Sequence, residues 1–85
     1  MKVKKVDESE IGMTTSWGTW EKELSKFRWE YDEKETCYII EGKAEVVSAK
    51  GEKITFEAGD MVEFEQGLKC TWKITEAIRK KYIFE

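Results

Sequence analysis

The stretch Leu68-Lys69-Cys70-Thr71-Trp72-Lys73-Ile74-Thr75 carries an apolar side chain at every second position and a polar one between them. Successive side chains of a β-strand point to opposite faces, so Leu68, Cys70, Trp72 and Ile74 form a stripe that another layer must cover. Burying that stripe contributes roughly 6–10 kcal/mol, while ordering the strand costs about 1–2 kcal/mol per residue of backbone. The strand therefore cannot persist alone.

Working outward, the same period recurs. Lys26-Phe27-Arg28-Trp29-Glu30-Tyr31-Asp32 alternates rings with charges and puts Phe27, Trp29 and Tyr31 on one face. Thr36-Cys37-Tyr38-Ile39-Ile40 is apolar or small on both parities, the pattern of a central strand covered on two sides, and Glu41-Gly42 is read as its end. Lys43 to Ser48, the turn Ala49-Lys50-Gly51-Glu52 and Lys53-Ile54-Thr55-Phe56 read as a hairpin. Ala58-Gly59-Asp60 and Glu65-Gln66-Gly67 are further turns on either side of a short strand from Met61 to Phe64. Many short strands with no amphipathic helix predict an all-β domain of two facing sheets or a closed barrel, of jelly-roll or related type. The segment 1–16 alternates irregularly and is a candidate edge strand, and 17–85 forms the barrel.

Length and composition bound the function. Eighty-five residues accommodate one domain, and 40% hydrophobic residues, with four Trp, four Phe and three Tyr, exclude intrinsic disorder. A net charge of -3 from 15 basic and 18 acidic residues offers no basic field for nucleic acid. No apolar run approaches the roughly 20 residues of a membrane span, so no membrane partner is expected and a cytoplasmic location is the default. The Lys- and Glu-rich surface is a balance found in heat-adapted proteins, although proline is absent. The absence of histidine excludes an imidazole base, a His-Asp relay and a His-built metal site. Cys37 and Cys70 lack CxxC spacing and are expected to be reduced.

Glu35-Thr36-Cys37-Tyr38-Ile39-Ile40-Glu41-Gly42, with Ala58-Gly59-Asp60 and Gly67, resembles the two motifs of the cupin superfamily. Trp29-Glu30-Tyr31, a short spacer and Glu35 stand where cupins carry His-x-His, a spacer and a metal-binding Glu; only Glu35 of that set is present. In the second motif Glu65 stands in place of proline and Cys70 in place of histidine. Trp17, Trp20-Glu21, Phe27, Trp29, Tyr31, Glu35-Thr36-Cys37-Tyr38, Gly67, Cys70-Thr71-Trp72 and Arg79-Lys80 together are similar to the small cupins grouped with the ureidoglycine aminohydrolase-type family, many of them without assigned function. The resemblance implies a single-domain RmlC-like jelly-roll barrel with Glu35 pointing inward. The aminohydrolase itself resembles a manganese cupin whose ligands include histidines.

The predicted site is a metal-free pocket of Trp29, Tyr31, Glu35, Cys37, Cys70 and Trp72, with Glu35, Tyr31, Cys70 and Lys80 as candidate catalytic groups. A carboxyl group among rings loses hydration, so its ionised form needs a partner cation. Lys80 shares parity with Ile78, Tyr82 and Phe84 and either turns inward to pair with Glu35 or snorkels to water from an edge strand. Cys70 is read as a soft metal ligand with Glu35 and Cys37, as a nucleophile, or as small apolar filler; without imidazole neither metal nor any other cofactor is expected. Trp17, Trp20 and Trp72 serve the core or a homodimer contact. The leading expectation is binding of a small polar organic molecule. Its rivals are an enzyme with Glu35 as general acid or base on an amine- or ureido-type substrate, and a structural homodimer.

Overall fold

The computed structural model describes the backbone of residues 1–85 and the side chains of all but residues 8 and 9. The strands are β1 Lys2–Lys5, β2 Gly18–Lys22, β3 Ser25–Glu30, β4 Glu35–Ser48, β5 Lys53–Glu57, β6 Asp60–Phe64 and β7 Lys69–Phe84, and a short helix α1, Glu8–Ile11, runs into a 3-10 turn at Gly12–Ser16. All pairings are antiparallel, in the order β1-β6-β4-β7-β2, with β3 added to β7 and β5 to β4. Lys2–Lys5 pairs with β6 at one edge, and the segment from Glu8 to Ser16 is helical or turn.

The two long strands build the barrel by serving both of its halves. Residues 35–38 of β4 pair with β6, and residues 43–47 pair with β5. In β7, residues 69–74 pair with β3 and residues 78–82 with β2. The β4–β7 ladder joins the two halves along its whole length. Side chains from both halves meet at Phe64, which stacks on Tyr31 at 4.9 Å and contacts Trp72 at 5.5 Å and Phe56 at 6.2 Å between ring centroids. Offset and edge-on ring packing of this kind adds to area burial, and it lets an 85-residue chain fill its core with few side chains.

The expected end of a strand at Glu41-Gly42 is corrected by the structure, in which β4 continues to Ser48. Gly42 adopts φ +92, and a Cβ there would collide with the Ala77 carbonyl oxygen, so a glycine is needed for β4 to pass β7 at this point. The ladder is irregular here: Ile39 faces Lys80, but Ala44 faces Ile74. As a result Glu35, Cys37 and Ile39 are buried before the irregularity, and Ala44, Val46 and Ser48 after it. The two-sided cover expected for Thr36–Ile40 is partial, because Thr36, Tyr38 and Ile40 are half-buried.

The β4–β5 hairpin forms where the sequence places it. The Ser48 hydroxyl accepts bonds from the Lys50 and Glu52 amides, and Gly51 supplies a positive φ. At the next turn a buried carboxylate does similar work: Asp60 Oδ2 accepts the Glu57 amide at 2.9 Å while Oδ1 receives Lys5 Nζ at 2.9 Å, which ties β1 to the β5–β6 turn.

Candidate functional site

The Cys70-Trp72-Ile74 stripe of β7 is interrupted at exposed Glu76 and resumes at Ile78 and Lys80, so a lysine enters the interior at the position opposite Ile39. β4 brings Glu35 to the same interior from the neighbouring strand. Lys80 Nζ lies 3.0 and 3.1 Å from the two carboxylate oxygens of Glu35, and the residues are 5% and 3% exposed. Lys80 therefore turns inward and does not snorkel from an edge. Its ammonium also lies 4.9 Å from the ring centroids of both Trp20 and Trp72, where the negative faces of the indoles attract a cation.

This pair lines a cavity of about 250 Å³ walled otherwise by Trp20, Phe27, Trp29, Tyr31, Trp72, Tyr82 and Phe84. Tyr31 and Trp72 are buried, while Trp29 and Phe84 are partly exposed at the mouth. Burial and then the Glu35 charge push the Tyr31 phenol far above its ordinary range, so it presents a neutral hydroxyl. The cavity thus offers an ion pair and a phenol against rings, the pattern of a site that holds a small organic molecule by shape and a few polar contacts.

Trp29, Tyr31, Glu35 and Trp72 of the expected pocket line one cavity, and Lys80, for which the sequence left two orientations open, lines it with them. Cys37 and Cys70 do not. Cys37 is fully buried and absent from the cavity wall, and burial pushes its thiol up to about 12, with the Lys80 charge acting in the opposite sense. Cys70 Sγ donates to the Trp29 carbonyl oxygen at 3.7 Å, faces a separate surface hollow, and is pushed up to about 11 by burial and then by Glu35. Burial thus disfavours the thiolate, the form that attacks or ligates, at both positions, and neither residue is on the cavity wall. The residues that sequence reasoning left out of the site are Trp20, Phe27, Tyr82 and Phe84. Their signal was present in the Phe27-Trp29-Tyr31 stripe and in the parity of Tyr82 and Phe84 with Lys80.

A metal of the kind implied by the aminohydrolase resemblance does not fit this donor set. The chain has no histidine, both oxygens of Glu35 are engaged by an ammonium, and no cluster of three His, Cys, Asp or Glu among the described residues could hold an ion. Also among the described residues, no helix is long and apolar enough to cross a membrane.

Comparison with known proteins places this architecture. A DUF861-family protein of Thermotoga maritima is 44% identical, with a TM-score of 0.95 over 99% of this chain and 98% of its own. A putative ethanolamine utilization protein Q of Salmonella typhimurium shares the fold at 20% identity and a TM-score of 0.72, over 96% of this chain and 66% of its own. An RmlC-like cupin of Shewanella frigidimarina matches at 13% identity and a TM-score of 0.63, over 78% of this chain and 60% of its own. No curated protein matches the chain. The model of the EutQ-like cupin domain matches residues 10–82. With that match over most of its length, and with the long β4 and β7 at the centre of an antiparallel sheet, the chain belongs to the EutQ-like cupin family.

Proposed function

We propose that the protein binds a small polar organic molecule in the ring-lined cavity, with the Glu35–Lys80 pair as its polar anchor and no metal required. The observation that carries this reading is the placement of a buried ion pair on a cavity wall that is otherwise aromatic. A buried pair is a poor device for stability alone, since apolar residues of the same volume serve as well or better. Charges retained at a cavity are explained by what they contact there.

Thermal-shift screening with small metabolites tests this. A ligand at about a hundred times its Kd adds about 2.7 kcal/mol of apparent stability. That shift should fall away in Glu35→Gln, whereas equal shifts in both proteins would refute the pair's role. Stoichiometric zinc, manganese or iron in the purified protein would refute the metal-free reading.

A second reading is favoured by the contact between an acid and an ammonium at the cavity wall, which permits proton exchange. In it, Glu35 serves as general base in turnover of an amine- or ureido-type substrate of the ureidoglycine aminohydrolase kind. Here Glu35→Gln abolishes turnover while ligand binding persists.

A further inference from the structure

We infer, resting on the binding reading above, that the ligand is a neutral, planar ring molecule bearing a hydrogen-bond donor and acceptor side by side on one edge, the pattern of a lactam or cyclic imide. The charge balance of the site is the first ground. Glu35 and Lys80 lie 3.0 Å apart, are both buried, and cancel each other's charge. An added carboxylate or ammonium would bring an unpaired charge against apolar walls beside an already balanced pair, which is unfavourable. The indole faces of Trp20 and Trp72, which would otherwise attract a ligand cation, already hold Lys80 Nζ at 4.9 Å each.

The hydrogen-bond inventory is the second ground. An ammonium has three protons, and that of Lys80 bonds the two oxygens of a single carboxylate, so at least one proton points away from Glu35 and is left for a ligand acceptor. Each carboxylate oxygen has a further lone pair for a ligand donor. These complementary groups are neighbours, and a cis-amide presents its carbonyl and N–H on one edge in the matching order.

Size and shape agree. A dry cavity of about 150 Å³ takes one benzene ring, so about 250 Å³ takes a ring system of about ten heavy atoms. Its walls are ring faces and edges, against which a flat molecule packs best.

Calorimetric titration of the full chain with four probes of similar size tests the inference: 2-quinolone, which has the lactam edge; indole, with a donor only; quinoline, with an acceptor only; and naphthalene-2-carboxylate, an anion. We expect 2-quinolone to bind about tenfold or more tighter than each of the others. In Glu35→Gln the charge of Lys80 is left unbalanced, so naphthalene-2-carboxylate should gain about tenfold while 2-quinolone loses its advantage over indole. Should that variant fail to fold, Glu35→Met/Lys80→Met removes both charges at similar volume and should bind 2-quinolone and indole about equally. Tightest binding of the anion by the unsubstituted protein, or 2-quinolone binding no tighter than indole, overturns the ligand class and leaves the pocket reading standing. Failure of all four probes, together with no thermal shift from a broad metabolite panel, overturns both.

Discussion

Lys80→Met is the substitution that most directly probes the interior. It removes the partner of both Glu35 oxygens while leaving that carboxyl group buried at 3% exposure. Methionine fills the stem's volume, so the loss is electrostatic, and breaking one side of a buried pair costs about 3–5 kcal/mol. At about 2.1 cal/mol/K per residue, a chain of 85 residues unfolds with an entropy of about 180 cal/mol/K near its midpoint. Thermal unfolding followed by circular dichroism should therefore show Tm falling by about 17–28 °C. Glu35→Gln should cost less, because Lys80 keeps the indole faces of Trp20 and Trp72 and one of its two acceptors, now an amide oxygen. The double variant Glu35→Met/Lys80→Met should recover most of the lost stability, since no unpaired charge remains. The reasoning is refuted if Lys80→Met costs under about 1 kcal/mol, or if the double variant is as unstable as the single one.

Gly42→Ala should lose at least the strain of a non-glycine residue at φ +92, about 1–3 kcal/mol, and more from the collision with Ala77, measurable as a lower urea midpoint. A midpoint within error of the unsubstituted protein would contradict the account of the β4–β7 crossing. Because burial raises the Cys37 and Cys70 thiols to about 12 and about 11, the folded state holds protons that the unfolded chain releases from about pH 9 upward. Stability from these groups is complete below that pH and is lost as pH climbs toward 12, so the urea midpoint should fall over that window, and less steeply in Cys37→Val. A flat profile from pH 9 to 11.5 would count against thiol burial. Trp29→Ala should shift Tm by only a few degrees, because Trp29 is 50% exposed, yet weaken any cavity ligand by about tenfold in titration; unchanged affinity would remove Trp29 from the site.

The sheet was legible where one face alone is buried. Cys70, Trp72 and Ile74 are all buried, as their alternation requires, because side-chain period and burial coincide in that stretch. Parity allowed the inward turn of Lys80 without requiring it, since Glu76 shares that parity and is exposed, and the meeting with Glu35 additionally needs the β4–β7 register, which no local pattern encodes. Cys37 and Cys70 each have the correct parity, but parity reports which face a residue occupies and not how far along the strand it lies from the open space. The continuation of β4 past Gly42 was hidden for a different reason. A glycine at positive φ reads equally well as a turn or as an irregular crossing, and only the partner strand distinguishes the two.

The crossing at Gly42 also divides β4 into two segments that are out of phase with each other. Deleting one residue from Tyr38 to Ile40 would leave β5 and everything after it undisturbed, yet would swing Glu35 and Cys37 outward and bring Lys34 to the ion-pair position. An equal deletion after Ala44 would spare the cavity and scramble the hairpin instead. The molecule therefore tolerates length changes at its turns far better than within this strand, and new functions are more readily grafted by exchanging rings at the cavity mouth than by altering the ribbon that carries Glu35.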